Sequence, residues 1–191
     1  MEFSERVVLR YLGYRGAPAD ERVSGLIRQA ALELEAHVNP KSVYGIWNCR
    51  ADACAVCLDG ASLRSEHLAK HLKGCRRAAL LAATLGPGAD ALIRRYGVRA
   101  MEKAVVAQAV SAAMIDAYCD QIQRGLSQTP EAEGLSLTVR FSPGYGDFAL
   151  IHQEDILRLL DTGKRIGLTL TDGYMLAPSK SVTAVIGFRE G

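Results

Sequence analysis

A chain of 191 residues is long enough to bury a substantial core and is read as one domain over 1–191. With 49% hydrophobic and 23% charged residues and a formal net charge of +2, it has a globular composition and lacks the basic excess of a nucleic-acid binder. No run of about 18 apolar residues could span a bilayer, and the opening MEFSERVVLRYLGY has no signal-peptide core; no membrane association and a cytoplasmic location are expected.

Residues 20–38 place Val23, Leu26, Ile27, Ala30, Ala31, Leu34 and Val38 at helical spacing, and Asn39-Pro40 stops the pattern. Residues 42–47 and 53–58 are predicted strands, the second followed by an Asp59-Gly60 turn. Ser65 is the expected cap of a short helix over 65–72. The apolar run 78–84 predicts a central strand that leaves into a loop at Leu85-Gly86-Pro87-Gly88. Residues 89–124 are Ala-rich and predict two helices broken near Gly97, the second with a face of small residues at Ala104, Ala107, Gln108, Ser111, Ala112 and Ile115. Strands are then expected at 135–141, 166–170 and 182–188, with a helix at 153–160. Helices and strands mix without βαβ alternation, which predicts an α+β fold with a mixed or antiparallel sheet.

Five cysteines, an odd number outside a small secreted scaffold, argue against a disulfide framework. Cys49, Cys54 and Cys57 have metal-like spacing, and His67 or His71 would have to supply a fourth ligand. Their apolar surroundings favour the alternative of a strand in which the small thiols pack.

Residues 140–150, RFSPGYGDFAL, hold the densest group of unusual residues. Gly144-Tyr145-Gly146-Asp147-Phe148-Ala149 fits a relaxed dinucleotide pattern, but no helix is expected directly after it and Asp147 would set a carboxylate beside the phosphates. Pro143 and the glycines would suit an ordinary turn. Arg140 at the strand end adds a fork of donors suited to a carboxylate, and Tyr145 an aromatic face, a set that fits a small zwitterionic ligand. His152, beside the motif, is expected to face solvent at a helix start.

Arg140-Phe141-Ser142-Pro143-Gly144-Tyr145, then Ile166-Gly167-Leu168-Thr169-Leu170-Thr171, then Met175 to Thr183, resemble the activation domain of cobalamin-dependent methionine synthase. Ala82-Ala83-Thr84-Leu85-Gly86 is similar to a further element of that family. The resemblance implies a bent, mostly antiparallel sheet flanked by helices, and a stand-alone version of the domain. It implies S-adenosylmethionine as ligand and a partner: a cobalamin-binding methionine synthase lacking its own activation domain. Cob(II)alamin held by that partner would be reduced, with a flavodoxin-type electron donor, and remethylated to methylcobalamin. Arg140 would pair with the ligand carboxylate, Ser142 and Gly144 would offer main-chain contacts, and Tyr145 would line the adenosyl or sulfonium end. No catalytic residue and no metal ligand of the chain itself is implied. The alternative is a non-catalytic module that senses S-adenosylmethionine or regulates a corrinoid protein by binding it.

The chain also departs from the family. An acidic residue is expected upstream of the arginine, and the candidates are Asp116 and Asp120. A second acidic ligand near the beginning has no clear match, and the resemblance stops short of a downstream pair of aromatics.

Overall fold

The computed structural model describes residues 3–14, 19–129 and 132–190. At its centre runs β4 (Arg77–Thr84), the unbroken apolar stretch. Ala79, Leu81 and Ala83 enter one hydrophobic cluster while Ala78, Leu80 and Ala82 enter another, so the strand is covered on both faces. β1 (Lys41–Ala51) and β8 (Ser181–Glu190) flank it, both antiparallel. Adding β2 (Ala55–Leu58), β3 (Ala61–Arg64) and β5 (Leu135–Leu137) gives the order β3-β2-β1-β4-β8-β5, antiparallel throughout. β1 pairs with β4 as far as Asn48 and with β2 from Cys49 onward, which offsets the β2–β3 hairpin towards one end of the sheet.

Four helices pack on the face that carries Ala79 and Leu81: α1 (Glu5–Tyr11), α2 (Glu21–Glu35), α4 (Pro87–Arg99) and α5 (Met101–Leu126). On the other face lie α3 (Glu66–His71), α6 (Gln153–Leu160) and α7 (Thr162–Ile166). A separate two-stranded ribbon joins β6 (Thr169–Leu170) to β7 (Leu176–Ala177). Side-chain caps start two of these helices: Asp20 accepts from the Val23 amide at 2.8 Å, and Ser65, the expected cap, from the Leu68 amide at 2.9 Å. The architecture is the expected α+β class, an antiparallel sheet between helices. Among the described residues no helix is long and apolar enough to cross a membrane.

Local expectations need correction in several places. The break between α4 and α5 falls at Ala100, whose extended backbone (φ −158°, ψ 81°) ends one helix and starts the next; Gly97 lies inside α4. α4 begins at Pro87, so the loop after β4 is only Leu85-Gly86, with Pro at the first helical position, where its missing N–H costs nothing. Gln108 is exposed and does not belong to the packed small-residue face of α5. The second strand starts at Ala55, because the Asp52 carboxylate binds the amides of Cys54 and Ala55 at 2.9 and 2.8 Å and holds a turn there. Of the expected strand at 166–170, only Thr169–Leu170 form a strand, β6; Ile166 is the last residue of α7 and Gly167 (φ +69°) closes that helix.

The expected strand at 135–141 also divides, and this division builds the site. β5 ends at Leu137. At Thr138 the amide still bonds the Gly187 carbonyl at 2.9 Å, but the Gly187 amide turns to the Thr138 hydroxyl at 2.9 Å. The Thr138 carbonyl is thereby released towards α5. Pairing with β8 returns only at Phe141, opposite Val185.

Candidate functional site

A groove of about 870 Å³ opens between the end of α1, the C-terminal part of α5, the 137–145 segment and the start of β8. Along α5 it is lined by Asp116, Asp120, Gln123 and Ser127, whose spacing of four, three and four residues sets them on one helix face. Ser142, Pro143 and Tyr145 form the facing wall, and Gln153, Leu176 and Thr183 close one end.

Arg140 is the centre of the polar arrangement. Its Nη1 lies 2.7 Å from Asp120 Oδ1 and donates to Gln123 Oε1 at 3.1 Å. Gln123 in turn donates through Nε2 to the released Thr138 carbonyl at 3.0 Å. Nη1 is thus held by two partners on α5, only 21% of the side chain is exposed, and Arg140 lines the groove. Asp116 receives the Tyr11 hydroxyl at 2.5 Å. Burial, then the hydrogen bond and charge of Asp116, push the Tyr11 phenol up to about 12. Arg10 and Arg124 also line the groove, so it carries both signs of charge.

The turn itself is closed by its own backbone. The Gly144 amide donates to the Phe148 carbonyl at 2.7 Å, and the Tyr145 and Phe148 amides donate to the Ser142 and Tyr145 carbonyls at 3.1 and 3.0 Å. Gly144 (φ +98°) and Gly146 (φ +57°) take left-handed conformations, as such a tight path requires. Phe148 is fully buried, whereas Tyr145 is 59% exposed and its ring meets Phe141 edge-on at 6.1 Å.

Of the residues singled out in the sequence, Arg140, Ser142, Tyr145 and Asp116 line this one groove; Gly144 shapes the turn without lining it. Asp120, the other acidic candidate, is the carboxylate on Arg140, while Asp116 is engaged by Tyr11. Sequence reasoning missed Gln123 and Tyr11. The one available signal for Gln123 was its place seven residues after Asp116 on the same helix face; Tyr11 carried none.

His152 is corrected from its solvent-facing expectation: it is 13% exposed, stacks on Phe148 at 5.4 Å and accepts the Arg64 amide through Nε2 at 3.2 Å. Cys49 and Cys75 are buried, but Cys54 is exposed in the Asp52 turn and does not pack in a strand as expected. His67 stands beside Asp147, and the ring of His71 bonds the Val139 carbonyl at 2.9 Å.

No family model matches the sequence, and neither does any curated protein. Among solved structures, the fold is similar to that in the crystal structure of the MetH reactivation domain bound to AdoHcy. The TM-score is 0.70 at 15% identity, covering 100% of this chain and 78% of that one. This chain therefore has the fold of a methionine synthase reactivation domain.

Proposed function

We propose that the groove binds S-adenosylmethionine, and that the chain is a reactivation component for a cobalamin-dependent methionine synthase that lacks this domain. The observation that carries the reading is the meeting of Arg140, Ser142 and Tyr145 with two aspartates in one groove, on a fold whose likeness was crystallised with AdoHcy. A volume of about 870 Å³ lies within the range of small-ligand sites. The Arg140 fork suits the ligand carboxylate, Asp120 and Asp116 offer charge to its ammonium group, and Tyr145 offers a ring face to the sulfonium or adenosyl end.

The work left to this chain is positioning. A sulfonium is already a good leaving group, so no general acid or base is required of the groove residues. They bind the methyl donor, orient its methyl group outward and exclude water. A corrinoid held by the partner and reduced by a flavodoxin-type donor would supply the nucleophile for that methyl group, with S-adenosylhomocysteine as the product left to this chain.

Calorimetry with S-adenosylmethionine tests the first half of the proposal: saturable one-to-one binding is expected, and none, even with the cobalamin partner present, would sink it. Transfer of labelled methyl from S-adenosylmethionine to the partner's corrinoid, dependent on this chain and a reductant, tests the second. Binding without transfer would leave a sensing module instead.

A further inference from the structure

We propose that Asp147 is a positioning residue for the ligand groove, clamping the 142–148 turn to the start of α3 so that Tyr145 is held facing the groove. The inference rests on the reading that this groove binds S-adenosylmethionine.

Asp147 does not line the groove, whereas Ser142, Pro143 and Tyr145 do. Its carboxylate turns the other way, onto a segment some eighty residues earlier in the chain. Oδ1 receives the Ser65 hydroxyl at 2.5 Å and the His67 amide at 3.2 Å, and Oδ2 receives the Glu66 amide at 2.7 Å. Ser65 meanwhile accepts the Leu68 amide at 2.9 Å, so one hydroxyl both caps α3 and ties the turn to it. The Ser65 bond, then the two amides and His67, hold the Asp147 carboxyl below the usual carboxylate range despite a smaller opposing effect of burial. It is therefore ionised at neutral pH, and its bonds are charge-assisted.

The approach suits Gly146, whose left-handed φ of +57° favours glycine and whose missing Cβ leaves room for the His67 ring beside it. Two glycines in left-handed geometry leave the turn with little intrinsic stiffness. Its far end is fastened to the rest of the fold by Phe148, buried in the core, and by Asp147, bound to α3. Without the Asp147 clamp, the ordering of Tyr145 would have to occur on binding, at a cost in affinity.

A double-mutant cycle tests this by calorimetry with S-adenosylmethionine, using the unaltered chain, Asp147→Ala, Tyr145→Ala and the double variant. Asp147→Ala is expected to weaken binding about tenfold, and to add less than about twofold once Tyr145 is gone, because both changes act on one contact. Hydrogen exchange of the Tyr145 and Phe148 amides is expected to quicken in Asp147→Ala while β4 stays protected. Unchanged affinity, or losses that simply add, would overturn the assignment and make Asp147 a cap of α3 only. Should the alanine variant fail to fold, Asp147→Asn keeps the size and one acceptor. It is expected to lose affinity in the same direction, and an unaltered value overturns the proposal. Absence of binding by the unaltered chain overturns the ligand reading and this inference together; binding that ignores Asp147 overturns this inference alone.

Discussion

Arg140 Nη1 and Asp120 Oδ1 lie 2.7 Å apart, joining the segment after β5 to the C-terminal part of α5 across the groove. The contact is only partly sheltered, since the carboxylate side is 55% exposed. Arg140→Ala removes the fork that the proposed ligand carboxylate would use. Loss of a charge-assisted hydrogen bond costs about 1.5–3 kcal/mol, which weakens binding by about 10- to 150-fold. Arg140→Lys keeps the charge but not the planar fork and is expected to fall between. Calorimetry against S-adenosylmethionine reads both; native affinity in the alanine variant would remove Arg140 from the site.

Tyr11 and Asp116 predict behaviour at high pH. The Tyr11 phenol is pushed from 10.0 up to about 12 by burial first and by Asp116 next, and Tyr96 reaches about 12 through burial and Glu33. A folded-state pKa above the unfolded one gives stability that is complete below the unfolded value and is lost as pH rises through the folded value. The stability from both residues is therefore expected to persist below pH 10 and to fall between 10 and 12. Tyr11→Phe should make that decline shallower. Urea unfolding at a series of alkaline pH values measures it, and an unchanged slope in the variant contradicts the assignment.

Phe148 predicts how far the turn depends on the core. It is fully buried, stacked on His152 at 5.4 Å and tilted against Phe141 at 6.2 Å. Phe148→Ala is expected to cost about 3–5 kcal/mol, the range for emptying a buried aromatic site. Denaturant unfolding provides the number, and a loss under about 1 kcal/mol would mean that the site collapses around the cavity.

The sequence made legible those parts whose cause is local. The apolar run of β4, the Ser65 cap, α6 and the strand β8 follow from periodicity and from single side chains. Arg140, Ser142 and Tyr145 were legible as a motif, and the groove they share is visible in the fold. What was not legible depends on distant partners. Thr138 reads as one more β-branched strand residue, yet its hydroxyl takes the place of a ladder carbonyl for the Gly187 amide across the sheet. Asp147 reads as a turn residue, and its three donors are supplied from 65–67. Ile166 alternates with Leu168 as in a strand, but Asp161 in a left-handed conformation (φ 48°) restarts the chain as α7.

The two glycines of α4 give predictions of opposite sign. At Gly88 a Cβ would stand 1.9 Å from the His37 carbonyl oxygen, a backbone atom that cannot swing away. Gly88→Ala must push α4 off the segment that follows α2, and is expected to cost about 1–3 kcal/mol, as overpacking does. At Gly97 a Cβ would meet nothing within 4 Å, and the residue is exposed inside the helix. Gly97→Ala is expected to gain about 0.5–1 kcal/mol by restricting the unfolded chain and raising helix propensity. Thermal unfolding of both variants checks the pair. If Gly97→Ala destabilises, the helix does break there and α4 does not run on to Arg99; if Gly88→Ala is neutral, the contact between α4 and His37 is looser than its geometry.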